Sequence, residues 1–326
     1  MKKLVSVLLT MALCLAMLAG CNTDSGGSGG GGGETRLVIG AGPIGGAFYP
    51  IAGGIAAIIN EYVDGVNVSV QVTAGGVENT RLVGMGDVDL AISSGQQAYD
   101  AINNTGMFAG ENLQLNTLGT LHSSVCQFVV LADSDITDVT QLKGKKVAIG
   151  EAGGGAEQQF KELIHALGWS DEDVNMMYLP YDQAAEQLGD GLIDASVVYS
   201  GTPASSISDL ASRRGVRLLN LTEEQQQIWR DSVDPFLSTF EIVPAGTYNG
   251  MEVDIYTAVQ RMEFSCSSDL DEELAYEISK ALYEHLDELY TYHASAQSIT
   301  RETAADVLGA PLNPGAERYF TEAGLM

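Results

Sequence analysis

From Arg36 onward the chain alternates short β-branched runs with stretches of helical spacing, and this alternation restricts the fold more than any other feature. Arg36-Leu-Val-Ile-Gly40 is an apolar run closed by glycine. Phe48, Ile51, Ile55, Ile58, Ile59 and Tyr62 then recur at helical spacing. Val66, Val68, Val70 and Val72 alternate as one face of a strand does. Residues 87–92, 128–131, 146–149, 194–199, 216–220 and 257–264 read as further strands. A stripe of Phe160, Leu163, Ile164 and Leu167 ends at Gly168. The longest amphipathic helix carries Leu270, Leu274, Ile278, Leu282, Leu286 and Leu289, with Asp269 and Glu272 expected as its capping box. Strands separated by helices imply an α/β fold with helices on both faces of a sheet.

Composition narrows the class. Of 326 residues 45% are hydrophobic, enough for a full core. The length sits near the limit for one core, so two lobes are expected. Asp and Glu number 43 against 16 Lys and Arg, a formal charge of −27. Such a chain repels phosphate backbones, which excludes nucleic acid as a partner.

The first residues have a different purpose. Lys2 and Lys3 precede an apolar stretch, Leu4 to Leu18, too short to span a bilayer comfortably. Leu18-Ala-Gly-Cys21 resembles a lipobox, so residues 1–20 read as a lipoprotein signal peptide and Cys21 as the lipid attachment site. Residues 21–33 then form a Gly/Ser tether between anchor and folded domain. Its Gly26-Gly-Ser-Gly-Gly30 matches G-x-S-x-G without a strand before or a helix after, and is no hydrolase elbow. No second membrane segment follows, so anything that crosses the membrane is a partner. Cys126 and Cys266 remain, read first as buried thiols and second as a disulfide that an extracytoplasmic compartment permits. There is no C-x-x-C, and His122, His165, His285 and His293 lack metal spacing, so neither metal nor cofactor is expected.

Three glycine-rich loops each follow a strand and precede a helix. They are Gly40-Ala-Gly-Pro-Ile-Gly-Gly-Ala-Phe-Tyr-Pro50, Thr73-Ala-Gly-Gly-Val-Glu-Asn79 and Gly150-Glu-Ala-Gly-Gly-Gly-Ala-Glu157. A helix start exposes unpaired N–H groups and the positive end of the helix dipole, which together suit a carboxylate or phosphate. One such loop is an ordinary turn; three suggest a shared anion cleft. Gly40, Gly42 and Gly45 match the dinucleotide pattern G-x-G-x-x-G, with Glu61 at the distance of a ribose-binding acid. Pro43 inside the turn and the exported context argue against a nicotinamide enzyme. There is no P-loop Lys and no H-E-x-x-H, and Asp87 and Asp89 read as turn and strand-entry residues.

Further segments are shared with one family. Gly45-Gly-Ala-Phe-Tyr-Pro50, Gly75-Gly-Val-Glu-Asn79, Gly86-Asp-Val-Asp-Leu-Ala-Ile92, Asp138 to Val147, Leu188-Gly-Asp-Gly-Leu-Ile-Asp-Ala195 and Gly309-Ala-Pro-Leu-Asn-Pro-Gly-Ala316 occur in this order. Together, over about residues 36–322, they resemble the TAXI family of TRAP-transporter solute receptors. The resemblance implies a type II periplasmic-binding-protein fold, a small carboxylate or amino acid as ligand, and a separate TRAP-type permease, usually sodium-driven. Three departures stand out. Gly154-Gly-Ala156 lacks the two hydroxyls usual in the family's third loop, Asn313 stands where histidine is common, and Leu121 to Cys126 replaces the usual Tyr-Pro-Glu context.

On this reading lobe one is residues 34–128 plus 256–326 and lobe two is 129–255, with the ligand between them. Lobe one is expected to contribute Gly45, Gly46, Ala47, Phe48, Tyr49, Gly76, Val77, Ser93, Ser94 and Gln96 to the ligand site. Lobe two is expected to contribute Gly154, Gly155, Ala156, Glu157, Tyr199 and Gly201, with Glu157 placed to meet an ammonium group. Two other readings stay open: a sensing or interaction lipoprotein without a permease, and an exported enzyme.

Overall fold

The computed structural model describes residues 34–233 and 239–326. The expected signal peptide (residues 1–20), Cys21 and the expected tether lie outside the described residues. In chain order the elements are β1 (Thr35–Gly40), α1 (Phe48–Tyr62), β2 (Val66–Gln71), α2 (Gly76–Met85), β3 (Leu90–Ser94), α3 (Gly95–Ile102) and β4 (Leu115–Leu131). There follow β5 (Lys146–Ala148), α4 (Gly155–Ala166), β6 (Asn175–Met177), α5 (Tyr181–Gly189), β7 (Ala195–Ser200), α6 (Ser205–Arg213), β8 (Val216–Leu218) and α7 (Glu223–Ser232). The chain ends with β9 (Thr239–Val243), β10 (Ile255–Ser267), α8 (Glu272–Glu284), α9 (Leu286–Leu289) and α10 (Pro314–Glu322).

The strands form one mixed sheet in the order β2-β1-β3-β10-β4-β7-β5-β6, with β8 on β4 and β9 on β10. β1 pairs in parallel with β2 and β3, and β5 with β6 and β7. The antiparallel pair β10–β4 lies between these two halves, matching Val259 with Val125 and Ser267 with Leu115. Each of the two strands is long enough to serve both halves: β4 goes on to pair with β7, and β10 pairs with β3 at one end and β9 at the other.

Two aspartates show how sequence builds each half. Asp89, one residue before β3, accepts the Val38 N–H at 2.7 Å. Asp194, one residue before β7, accepts the Lys146 N–H at 2.8 Å. Both tie a parallel strand to its neighbour where the ladder begins, and both belong to the Gly-x-x-Asp segments noted above. Helix α1 buries Phe48, Ile51, Ile55, Ile58 and Ile59 against the sheet, as its spacing predicts.

Several expectations change. The C-terminal helix is not continuous, because His285 leaves the helical region and separates α8 from α9. His285 stacks on Tyr62 with ring centroids 3.6 Å apart, and Leu286 and Leu289 are buried. A Cβ on Gly54 of α1 would meet Leu289 at 2.7 Å and Tyr292 at 2.8 Å, so this glycine admits the turned segment. The cap of α8 is Asp271, which accepts the Leu274 N–H at 3.1 Å, and not the Asp269–Glu272 box. Cys126 and Cys266 are both free and buried. Cys266 pairs with Asn116, ten positions from Cys126 on the same strand, about 30 Å away and beyond any disulfide. Among the described residues no helix is long and apolar enough to cross a membrane.

Candidate functional site

The three glycine loops converge where the two halves of the sheet face each other. Pro43, Gly46, Ala47 and Phe48 come from the first loop, Ala74, Gly75 and Gly76 from the second, and Gly155 from the third. Tyr181, Tyr199 and Ser200 complete the lining. No Asp, Glu, His, Lys or Arg is among the described lining residues. The lobes lie close together, leaving about 10 Å³ of open space, room for one water molecule. As the halves stand, the space is too small for a metabolite.

Local chemistry explains the shape of each loop. Gly45 has φ +93° and Gly75 φ +112°, a region in which a side chain is strained. Neither Ala47 nor Gly75 nor Gly154 caps its helix with a side chain. Instead the loops are tied across the cleft. Ser200 Oγ accepts the Ala47 N–H at 2.8 Å, so a hydroxyl from one half caps a helix of the other. Ser206 N–H donates to the Gly45 carbonyl at 3.2 Å, and Glu78 N–H to the Gly153 carbonyl at 3.0 Å. Within the first half, Asn79 Nδ2 donates to the carbonyls of Ala41 and Ile92, fastening loop to strand.

Beneath the lining lies a buried polar layer. The Tyr199 hydroxyl donates to Gln260 Oε1 at 2.7 Å, and Gln260 Nε2 donates to Gln96 Oε1. Gln96 Nε2 donates to Glu162 Oε1 at 3.2 Å. A second chain runs from Gln97 Nε2 to Gln158 Oε1 at 2.8 Å, and from Gln158 Nε2 to Glu162 Oε1 at 3.0 Å. Both chains end on one carboxyl. Glu162 is half-buried as a residue, but its carboxyl is enclosed. Desolvation raises its pKa to about 7, aided by the charge of Asp100, while the amide donors oppose the rise.

The expected site residues divide into groups. Gly46, Ala47, Phe48, Gly76, Gly155 and Tyr199 line the cleft, and Gly45 sits just behind, bonded to Ser206. Gln96 belongs to the polar layer, and Ser94 caps α3 by accepting the Gln97 N–H at 3.2 Å. Val77 and Ala156 are core residues, and Ser93 bonds Ser265. Tyr49 faces solvent at 38% exposure. Gly154 abuts the second loop, where a Cβ would lie 2.6 Å from the Ala74 carbonyl oxygen. Gly201 packs against Ser295 and His122.

Glu157 lies outside the lining and is engaged locally. Its carboxyl accepts from Gly153 N–H at 2.8 Å, Lys161 Nζ at 2.8 Å and the Tyr178 hydroxyl at 3.0 Å. Burial opposes its charge, but these donors outweigh it and hold the pKa below the usual value. The ammonium contact expected of Glu157 thus finds both oxygens occupied.

Tyr181 and Ser200 were not anticipated. Ser200 ends β7 between the expected Tyr199 and Gly201; Tyr199 and Ser200 both line the cleft, and Gly201 does not. Tyr181 stands at the start of a helix with no glycine signal. Its hydroxyl donates to the Tyr199 carbonyl at 3.1 Å, and its ring lies 3.4 Å from where a Gly46 Cβ would be.

A family model described as the NMT1-like family matches residues 39–324. The chain belongs to the NMT1-like family. Among solved structures, this NMT1-like chain is similar to a proposed L-cystine ABC transporter from Listeria monocytogenes, at 13% identity over 80% of this chain and 95% of that one, TM-score 0.51. It is also similar to a protein of Bordetella bronchiseptica RB50, at 15% identity over 90% of this chain and 89% of that one, TM-score 0.53. At these identities the likeness is one of fold: the type II periplasmic-binding-protein arrangement of two α/β lobes.

Proposed function

We propose that this protein is an extracytoplasmic receptor that captures a small carboxylate or amino acid between its lobes and delivers it to a TRAP-type membrane permease. The observation that carries this reading is the meeting of three glycine loops, drawn from both halves of the sheet, on one uncharged cleft. Lobe one takes residues 34–128 and 256–326, lobe two takes 129–255, and β4 and β10 are the connections about which the cleft opens. Cys21 and the tether hold the receptor at the membrane surface.

The ligand chemistry follows from the donors at hand. With no cation among the described lining residues, a carboxylate would be held by backbone N–H groups at the starts of α1, α2 and α4, aided by the helix dipoles. A charge of −27 does not forbid this, because that field decays within about 8 Å at physiological salt while the N–H groups act at contact. Tyr181 and Tyr199 offer aromatic walls for the rest of the molecule. The description of the Listeria relative as an L-cystine transporter supports an amino acid among the candidates. No acid, base or imidazole is among the described lining residues, which supports binding without turnover.

The test is a thermal-shift screen against amino acids and small mono- and dicarboxylates. A ligand at a hundred times its Kd should stabilise the fold by about 2.7 kcal/mol. A shift that disappears in Ser200→Ala supports the cleft as the site. Silence across the whole panel would overturn the proposed ligand class.

A further inference from the structure

A second cavity of about 440 Å³ lies beside the crossing strands and shares no lining residue with the cleft. That volume falls in the range of small-molecule sites, roughly 300–1,000 Å³. Its apolar wall is Val125 of β4, Val259 of β10, and Ile242 and Val243 of β9. Opposite are Thr202 and the turn of residues 294–298.

The polar side chains of this cavity fall into two sets. One set builds the wall. Ser295 Oγ lies 2.7 Å from His293 Nδ1, Ser298 donates to the Ser295 carbonyl at 2.8 Å, and His293 also bonds the backbone of Pro203. The other set has no partner among the described residues: the hydroxyls of Ser123 and Thr202, the Gln297 amide and the Glu241 carboxylate. Glu241 is the single charged residue among the described lining residues, and no cation among the described residues pairs with it.

We propose that this cavity is a second binding site, taking a small aliphatic amine whose ammonium group pairs with Glu241 and whose methylenes lie along Val125, Val243 and Val259. The chemistry excludes the other common classes. An anion would meet a carboxylate and no cation. A purely apolar molecule would leave the polar groups unsatisfied. An ammonium gives Glu241 a charge-assisted hydrogen bond, and the oxygens of Ser123, Thr202 and Gln297 accept the remaining N–H groups. A net charge of −27 raises the local concentration of cations. The cavity is built on both crossing strands, so an occupant would press on the connections about which the cleft is proposed to move. The site itself does not depend on the receptor reading.

The test is a calorimetric titration with putrescine at fixed ionic strength, on the wild-type protein and three variants. We expect one saturable site per chain, weakened about tenfold by Glu241→Gln, weakened less by Ser123→Ala, and unchanged by Gly155→Ala in the cleft. Glu241 is exposed, so its variant should melt at the wild-type temperature, which separates lost binding from lost fold. Multiple weak binding abolished by salt would show counter-ion condensation and overturn the proposal. Equal affinity in Glu241→Gln would overturn it too. Loss in Gly155→Ala alone would place the amine in the cleft, refuting this site while leaving the cleft reading intact.

Discussion

Gly155 is small because Tyr199 fills the space a side chain would need: a Cβ there would lie 2.6 Å from the ring. Tyr199 cannot simply rotate away, since its hydroxyl is fastened to Gln260 and its backbone to Tyr181. Gly155→Ala should therefore cost about 1–3 kcal/mol, read by chemical denaturation, and should weaken whatever ligand shift the wild type shows. A variant as stable as the wild type would mean that the ring yields. The same packing illuminates the missing hydroxyls of the third loop. Ala156 is buried in the core, and Gly154 caps α4 with no side chain. The hydroxyl that does reach the cleft comes from Ser200, on another element.

At the scale of elements, Asp89 and Asp194 do the same work in the two halves. Removing either carboxylate deprives a strand N–H of its partner, so Asp89→Ala and Asp194→Ala should each destabilise by about 1–2 kcal/mol. They sit in different halves of the sheet, and the double variant should show nearly the sum. Strong non-additivity in denaturation would argue that the halves are coupled through these residues. Asp89 was legible as a strand-entry residue, because a turn Asp before an apolar run is a local signal, whereas Asp194 was read only as the first residue of its strand. β1, α1, β2 and β10 were legible for the same reason: periodicity is written into consecutive residues. The first part of β4, residues 115–127, was not. It is buried on both faces and so lacks alternation, and it carries Gly119 at φ +135° near its register shifts. The break at His285 was equally hidden, because the leucine spacing continues through it and the reason for turning lies on α1.

Across the whole molecule, the two amide chains that end on Glu162 join the halves behind the cleft. Burial raises the Glu162 pKa to about 7, above the usual 4.5, so the folded protein holds a proton that the unfolded chain releases. This group's contribution to stability is accordingly greatest below about pH 4.5 and falls as pH rises towards 7. Comparing denaturation of the wild type with Glu162→Gln should show the wild type losing ground over that interval, on the order of 3 kcal/mol, and no further change above it. A constant difference across the interval would place the carboxyl in contact with water.

The sequence by itself determined the alternation of strand and helix, the three glycine loops and Asp89 at its strand entry, because each depends on residues adjacent in the chain. It also carried the segments that pointed to a binding-protein fold. Only the tertiary structure decided which of those residues meet. Val77, Ser93 and Ala156 lie in the right segments but face the interior, whereas Tyr181 and Ser200 reach the cleft from elements with no glycine signal. Contacts between distant segments depend on strand register and on how the halves approach one another. The cavity beside β9 and the amide chains beneath Tyr199 arise in the same way, from segments far apart in the chain.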